Sequence, residues 1–258
     1  IKAVIMGVVE GITEFLPISS TGHLILAGDV LDFTGDSAKT FEVFIQLGAI
    51  LAVVWFYREK VFSSIQGMGT EKTNRFLLNL LIAFLPAVFF GLLTHSYIKR
   101  YLFTPLTVAG ALLAGGIAIL VIERVVKKPV VMDIDDVSYK QALGIGLAQT
   151  LSLFPGVSRA GATIMGGMCI GLERKAATEF SFFLAIPTMV AATSYDLLKN
   201  FHALTAQDIP IFLTGFFVSF FSALVVIRAF LGFVTKHTFD SFALYRIVFG
   251  AVVLLYYR

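Results

Sequence analysis

Between residues 10 and 23 the chain reads Glu10-Gly-Ile-Thr-Glu-Phe-Leu-Pro-Ile-Ser-Ser-Thr-Gly-His23. Two carboxylates, a run of hydroxyls and an imidazole are packed into one short stretch. Glu10 and Glu14 are four residues apart, so on a helix they share a face, with Cβ atoms about 5–6 Å apart. Two ionised carboxylates so placed need a cation or a shared proton to coexist in a low dielectric. They therefore suit a divalent-metal site or acid–base work. A solvated helix face is argued against by the flanking Ile5, Met6, Val8, Val9, Ile12, Phe15 and Leu16. One of Ser19, Ser20 and Thr21 can be an ordinary helix N-cap. Hydroxyls followed by Gly22 at a helix start also make an anion site, because the free N–H groups point at the ligand. His23 lies three residues after Ser20, where it could take a proton from a serine or give one to a leaving group.

A second polar stretch reads Pro155-Gly-Val-Ser-Arg-Ala-Gly-Ala-Thr163. Arg159 is its key residue. An arginine among apolar segments costs at least about 2.5–3.5 kcal/mol at a bilayer centre and needs an acidic partner or a ligand. Guanidinium matches phosphate through paired hydrogen bonds. Ser158 and Thr163 flank it, and Gly156 and Gly161 allow close backbone approach. Together the two stretches offer donors for a dianion or larger, such as a pyrophosphate. Glu10 and Glu14 would repel that anion unless Mg²⁺ or Ca²⁺ bridges them. Oxygen ligands without a Cys cluster or His pair argue against zinc. Glu42 and Gln46 share a helix face that would line the cavity, with Glu179 the counterpart of Glu42. Asn79, His95, Arg246 and Asp196 read as packing, interface or loop residues. Asp133-Ile-Asp-Asp136 reads as a solvated loop.

The elements that must position these groups are set by composition. The 258 residues are 57% hydrophobic and 14% charged, with 26 Phe, where a soluble domain carries about 25% charge. The mean hydropathy is +0.87. The apolar excess runs along the whole chain, so it predicts an all-α polytopic membrane protein. The net charge of +3 comes from loop Lys and Arg and predicts topology rather than nucleic-acid binding. The single cysteine, Cys169, excludes an internal disulfide. Six stretches approach the length of about 20 residues needed to span: 41–57, 76–94, 105–123, 177–195, 209–228 and 241–257. Four more are apolar but short: 2–15, 20–32, 140–153 and 160–171. Pro17 and Pro155 separate the members of each short pair and end the helix before them. Each pair reads as a re-entrant helical hairpin, tolerated only where protein or a polar cavity covers the exposed backbone.

The order is a hairpin and three spans, twice. It predicts an inverted repeat with halves 1–135 and 136–258. Gly7, Pro17, Ser20 and Gly22 fall near the registers of Gly146, Pro155, Ser158 and Gly161, with single-residue gaps. The face of the loops 58–75 and 124–140 collects Arg58, Lys60, Lys72, Arg75, Arg124, Lys127, Lys128, Lys140, Arg174, Lys175, Arg228 and Lys236. The other face has Lys2, Lys39, Lys99, Arg100, Lys199 and Arg258. The excess predicts that the first face is cytoplasmic. The first hairpin then enters from outside and the second from the cytoplasm, with tips meeting near mid-membrane.

In these motifs the chain resembles the bacterial undecaprenyl-diphosphate phosphatase family, the bacitracin-resistance phosphatases. The resemblance covers essentially the whole chain, including Lys39-Thr-Phe-Glu-Val-Phe-Ile-Gln-Leu-Gly48 and Glu179-Phe-Ser-Phe-Phe-Leu-Ala-Ile-Pro187. The family usually has Ser-Arg-Ser-Gly at the second stretch; here Ala160 stands in place of the second serine. The resemblance implies hydrolysis of the terminal phosphate of undecaprenyl diphosphate, giving the monophosphate lipid carrier and inorganic phosphate. It implies a divalent cation, service to peptidoglycan synthesis, bacitracin resistance and a place in the bacterial plasma (inner) membrane, with the site opening to the periplasmic face. Its motif residues fall on Glu10, Glu14, Ser20, His23, Ser158, Arg159 and Thr163.

The expected assignment is catalysis by Glu14, Ser20, His23 and Arg159. Ser19, Thr21, Gly22, Ser158, Gly161 and Thr163 would bind substrate, and Glu10 and Glu14 the metal. Ser20 would attack with His23 as base, or Glu14 or His23 would activate water directly. A second copy of the chain is the protein partner this reading allows. An acid-phosphatase-like lipid phosphatase would need a histidine where Met165 stands. A lipid-carrier transporter is the other reading that inverted, broken helices suggest.

Overall fold

The computed structural model describes residues 1–126, 128–200 and 208–257. Lys127 and Arg258 of the charge comparison lie outside the described residues, as do the side chains of His95, Lys99 and Lys199. The described chain is helical: α1 (Lys2–Thr13), α2 (Ser20–Val30), α3 (Asp36–Phe56), α4 (Arg58–Gln66), α5 (Glu71–Tyr101), α6 (Pro105–Val125), α7 (Tyr139–Gln149), α8 (Arg159–Cys169), α9 (Arg174–Asn200), α10 (Ile209–Val234) and α11 (Asp240–Tyr256). Five of these, α3, α5, α6, α9 and α10, are long and apolar enough to cross a membrane. The sixth expected span is α11, which has 17 residues. At 1.5 Å per residue it covers only about 25 Å of a hydrocarbon core about 30 Å thick. The loop expected at 58–75 instead begins with the short surface helix α4, which buries none of its residues.

The two short pairs are α1–α2 and α7–α8. Both first helices stop before the proline. α1 ends at Thr13 and the chain turns through residues 14–17. α7 ends at Gln149 and tightens into a 3₁₀ turn over Thr150–Leu153. The spacing of Glu10 and Glu14 survives, because the Glu14 amide still bonds the Glu10 carbonyl at 3.0 Å. Three membrane-length helices, α3, α5 and α6, separate the pairs in sequence. The two hairpins therefore start from opposite ends of the bundle. The end from which the second hairpin starts is tied by Lys60 to Asp135 at 2.6 Å, by Arg174 to Glu123, and by the Phe239 amide to Glu123 at 2.8 Å. Asp135 also takes Lys72 at 2.9 Å. The acidic run at 133–136 is thus a loop clamp fastened by lysines.

α1 packs on α10 and α7 packs on α5; α3 packs on both α10 and α9, and α6 on α11. Gly7 of α1 lies on the α10 backbone at Gly215, and Gly146 of α7 lies on the α5 backbone at Ala83. A side chain at either glycine would overlap those carbonyls. Gly7→Leu and Gly146→Leu are each expected to cost about 1–3 kcal/mol through overpacking. The check is the thermal midpoint of the purified protein in detergent; a midpoint equal to the parent's in both variants would refute the close approach.

Candidate active site between the hairpin tips

Each hairpin tip turns on a serine with positive φ. Ser19 has φ 71° and Ser158 has φ 74°, a region that non-glycine residues seldom occupy and that costs of order 1–3 kcal/mol. The next residue starts a helix in both cases, Ser20 in α2 and Arg159 in α8. A glycine follows three residues after each N-cap, Gly22 and Gly161. The structural counterpart of Ser158 is therefore Ser19, where the expected register paired it with Ser20. The single-residue gaps fall on either side of the proline, which lies two residues before Ser19 and three before Ser158. As a result, the position that carries a hydroxyl in one hairpin carries a guanidinium in the other.

These two side chains meet on Glu14. Arg159 Nη2 donates to Glu14 Oε1 at 3.0 Å, and Ser20 Oγ donates to Glu14 Oε2. Both members of the ion pair are buried, with side-chain exposures of 9% and 8%. Arg159 is held on its other side by the Ser181 carbonyl at 3.1 Å, with Met189 Sδ at 3.2 Å from Nη2. Its guanidinium carbon lies 5.8 Å from the Phe15 ring centroid, a cation–π arrangement. One donor is left over: Arg159 Nε is buried and has no hydrogen-bond partner.

The other expected residues divide by what they touch. Thr163 bonds the Ser181 hydroxyl at 2.6 Å and donates to the Arg159 carbonyl at 2.9 Å, so it braces the arginine from behind. Ser158 Oγ accepts from the Gly161 amide at 3.1 Å and donates to the Leu16 carbonyl at 3.4 Å. It caps one helix and links the tips. Ser19 makes no such cap with its side chain. Thr21 is half-buried. Gly22 faces Val108 and Leu112 of α6, and Gly161 faces Arg246. At both glycines the close neighbour is protein, so what they admit is another part of the fold.

His23 is not joined to Ser20. Its Nδ1 lies 2.7 Å from the Ser19 carbonyl, which can only accept, so Nδ1 carries the hydrogen. Its Nε2 lies 2.7 Å from the Tyr245 hydroxyl. The ring stacks on Phe249, with centroids 4.1 Å apart and planes 9° apart. His23 was expected to take the Ser20 proton; in this structure the group in hydrogen-bond contact with Ser20 is Glu14, and His23 contacts Ser19 and Tyr245.

Glu10 is fully buried, and neither carboxylate oxygen has a hydrogen-bond partner. Buried polar atoms are almost always satisfied, so two orphan oxygens on one side chain point to a missing partner. Glu14, Glu42 and Arg159 are the charged groups around it. This donor set fits a hard divalent cation, which prefers oxygen ligands. No cluster of three or more His, Cys, Asp or Glu suited to a metal occurs among the described residues. A cation here would take its remaining ligands from substrate phosphate and water, as Mg²⁺ commonly does.

Arg246, expected only as a packing, interface or loop residue, lies at the junction of the two tips. It is 1% exposed and makes five hydrogen bonds, all to backbone carbonyls. Nη1 reaches Pro17 at 3.0 Å in the first tip and Val157 at 2.9 Å in the second. Nη2 reaches Gly156 and Ala111, both at 3.0 Å, and Nε reaches Leu112 at 3.3 Å. An arginine within an apolar helix was the signal for it, by the same desolvation argument that singled out Arg159.

The fold and site define a multi-pass helical membrane protein with a carboxylate–serine–guanidinium cluster buried where two broken hairpins meet. The family model described as "Bacitracin resistance protein BacA" matches residues 3–252, and the chain belongs to that family. It is similar to the undecaprenyl-diphosphatase of Methylobacillus flagellatus, with 53% identity over 262 residues, covering 100% of this chain and 97% of the relative. It is also similar to the undecaprenyl-diphosphatase of Nitrosomonas europaea, with 57% identity over 255 residues, covering 99% and 93%.

Removing Arg246 would strip the donor from the tip carbonyls of Pro17, Gly156 and Val157, each worth about 1–3 kcal/mol when left buried and unpaired. Arg246→Met is expected to destabilise the protein by at least about 3 kcal/mol on that basis. Gly115 packs directly on the same guanidinium, so Gly115→Val is expected to lower the thermal midpoint in the same direction. Parent-like melting of both variants would show that the tips are held by something else.

Proposed function

We propose that this chain hydrolyses the terminal phosphate of undecaprenyl diphosphate, releasing undecaprenyl phosphate and inorganic phosphate, and that it does so at the Glu14–Ser20–Arg159 cluster. The activity named for the relatives supports the substrate. The observation that supports the site is the spare Arg159 Nε–H, a buried cationic donor beside a serine already hydrogen-bonded to a carboxylate. A phosphoryl oxygen is the ligand a guanidinium N–H of that kind binds best.

In this reading Arg159 receives the terminal phosphate and keeps Glu14 oriented through Nη2. Glu14 accepts the Ser20 proton as Ser20 Oγ forms a bond to the terminal phosphorus. The bond from that phosphorus to the bridging oxygen breaks, and undecaprenyl phosphate leaves with the bond electrons. The leaving group is itself a phosphate and needs no proton from the protein. A water then attacks the phosphoserine: Glu14 returns its proton to Ser20 Oγ as the serine–phosphorus bond breaks, takes the water's proton in its place, and passes that proton to the departing phosphate or to solvent, which restores the carboxylate. Arg159 counters the charge on the equatorial oxygens, the term that dominates phosphoryl transfer. Glu10 and Glu14 would hold Mg²⁺ or Ca²⁺, which when bound neutralises phosphate charge and acts as a Lewis acid. Direct attack by water activated on Glu14, with Ser20 only binding, is the second reading, favoured by the same Ser20–Glu14 contact.

The matching contacts of α1 on α10 and α7 on α5, and the matching tip conformations at Ser19 and Ser158, support an inverted repeat with halves 1–135 and 136–258. The excess of Lys and Arg at the Lys60–Asp135 end supports that end as cytoplasmic. The chain would sit in the bacterial plasma (inner) membrane, with the site opening outward to serve recycling of the lipid carrier. The polyprenyl tail would lie in lipid, and a second copy of the chain is the protein partner.

Purified, detergent-solubilised protein is expected to release phosphate from undecaprenyl diphosphate and to lose that activity in EDTA, with Mg²⁺ or Ca²⁺ restoring it. Arg159→Ala and Glu14→Ala are each expected to lose at least about 10²–10³-fold in turnover, the range for removing a group that stabilises transition-state charge. Phosphate release at the parental rate by either would place the chemistry elsewhere. Labelled phosphate trapped on Ser20 would support the phosphoserine route; near-normal turnover by Ser20→Ala would leave only direct attack by water.

A further inference from the structure

Resting on the reading above, we propose that Tyr245 is a positioning residue for Ser20, acting through His23 and the Ser19 backbone. Three facts carry it. The Tyr245 hydroxyl lies 2.7 Å from His23 Nε2. His23 Nδ1 lies 2.7 Å from the carbonyl of Ser19. Ser19, the residue immediately before Ser20, holds a φ of 71°.

The chain of contacts has one polarity. The Ser19 carbonyl accepts only, so it requires the hydrogen on Nδ1. In the neutral imidazole that leaves Nε2 as an acceptor, and a phenol hydroxyl can donate to it. The partner on one nitrogen decides which tautomer the ring keeps. With the phenol gone, the imidazole can place its hydrogen on Nε2. Nδ1 would then set a lone pair against the Ser19 carbonyl. The ring would turn, and the sparsely populated Ser19 conformation would lose the contact that holds it. Such conformations persist only where their surroundings over-determine them. Ser20 Oγ would then leave its line to Glu14.

The placement of Tyr245 agrees with this role. His23 is 9% exposed and Tyr245 is 43% exposed. The phenol therefore covers the outer side of the imidazole, and the Phe249 ring, one turn along α11, stacks on its face. Arg246, the next residue in α11, binds the Pro17 carbonyl in the same tip. One turn of α11 thus grips the first tip on both sides of the Ser19 turn.

The test is a double-mutant cycle on phosphate release from undecaprenyl diphosphate. Tyr245→Phe keeps the ring and its stacking and removes only the hydroxyl. It is expected to lower kcat about tenfold, the value of one well-placed hydrogen bond, with KM within about twofold of the parent. In a His23→Ala background the same substitution is expected to change kcat by less than about twofold, since coupled residues are non-additive. A loss just as large without His23, a raised KM at unchanged kcat, or parental kinetics in Tyr245→Phe would each overturn the inference. Parental protein that releases no phosphate at all would overturn the function proposed above, an outcome seen before any variant is assayed.

Discussion

The structure depends on how the backbone of two broken helices is satisfied inside an apolar fold. Each hairpin tip turns carbonyls away from any helix, and in a membrane such carbonyls have no water to bond. Arg246 answers both tips at once. Its five donors, fixed in a planar fork, reach Pro17 in one tip, Gly156 and Val157 in the other, and Ala111 and Leu112 of α6. A lysine, with three donors on one atom, could not span these positions. The guanidinium sets the distance between the tips, and Gly115 leaves it the room to lie there.

The reactive groups come together only because the tips are held in this way. Glu14 and Ser20 belong to the first hairpin and Arg159 to the second, and the bonds of Glu14 bridge them. A buried ion pair is weak evidence for stability, since desolvation offsets much of the attraction. Its value here is readiness. Arg159 is held in one orientation with one N–H uncommitted, and Glu14 already holds the hydrogen of Ser20. The offset between the tips adds to this. Two serines in the same strained conformation are followed by a hydroxyl in one hairpin and a guanidinium in the other, so two similar turns contribute opposite halves of one site.

Much of this was legible in the residues. A short apolar stretch, a proline and a hydroxyl-rich restart were enough to read both hairpins, because proline and bilayer thickness act locally. Glu10 and Glu14 could be set on one face because helical spacing is local too. Arg159 stood out because an arginine among apolar residues must have a partner. By the same rule Arg246 was in view, yet an isolated arginine in a span carries no neighbouring motif to say what it binds. α4 was hidden because it is only nine residues long and mostly exposed, with just Lys60, Val61 and Ser64 half-buried, too little apolar surface to set it apart from a loop.

What the sequence by itself determined is therefore the membrane class, the two broken hairpins and the set of reactive side chains. Each of these follows from local chemistry along the chain. Only the tertiary structure decided who touches whom. Ser20 is bonded to Glu14, six residues away, while His23, three residues away, is taken by Tyr245, 222 residues off. That choice rests on the unusual turn at Ser19, which aims two nearby side chains in different directions. It rests equally on α11, whose Tyr245, Arg246 and Phe249 reach the first tip from the far end of the chain. No spacing within residues 10–23 could have revealed either.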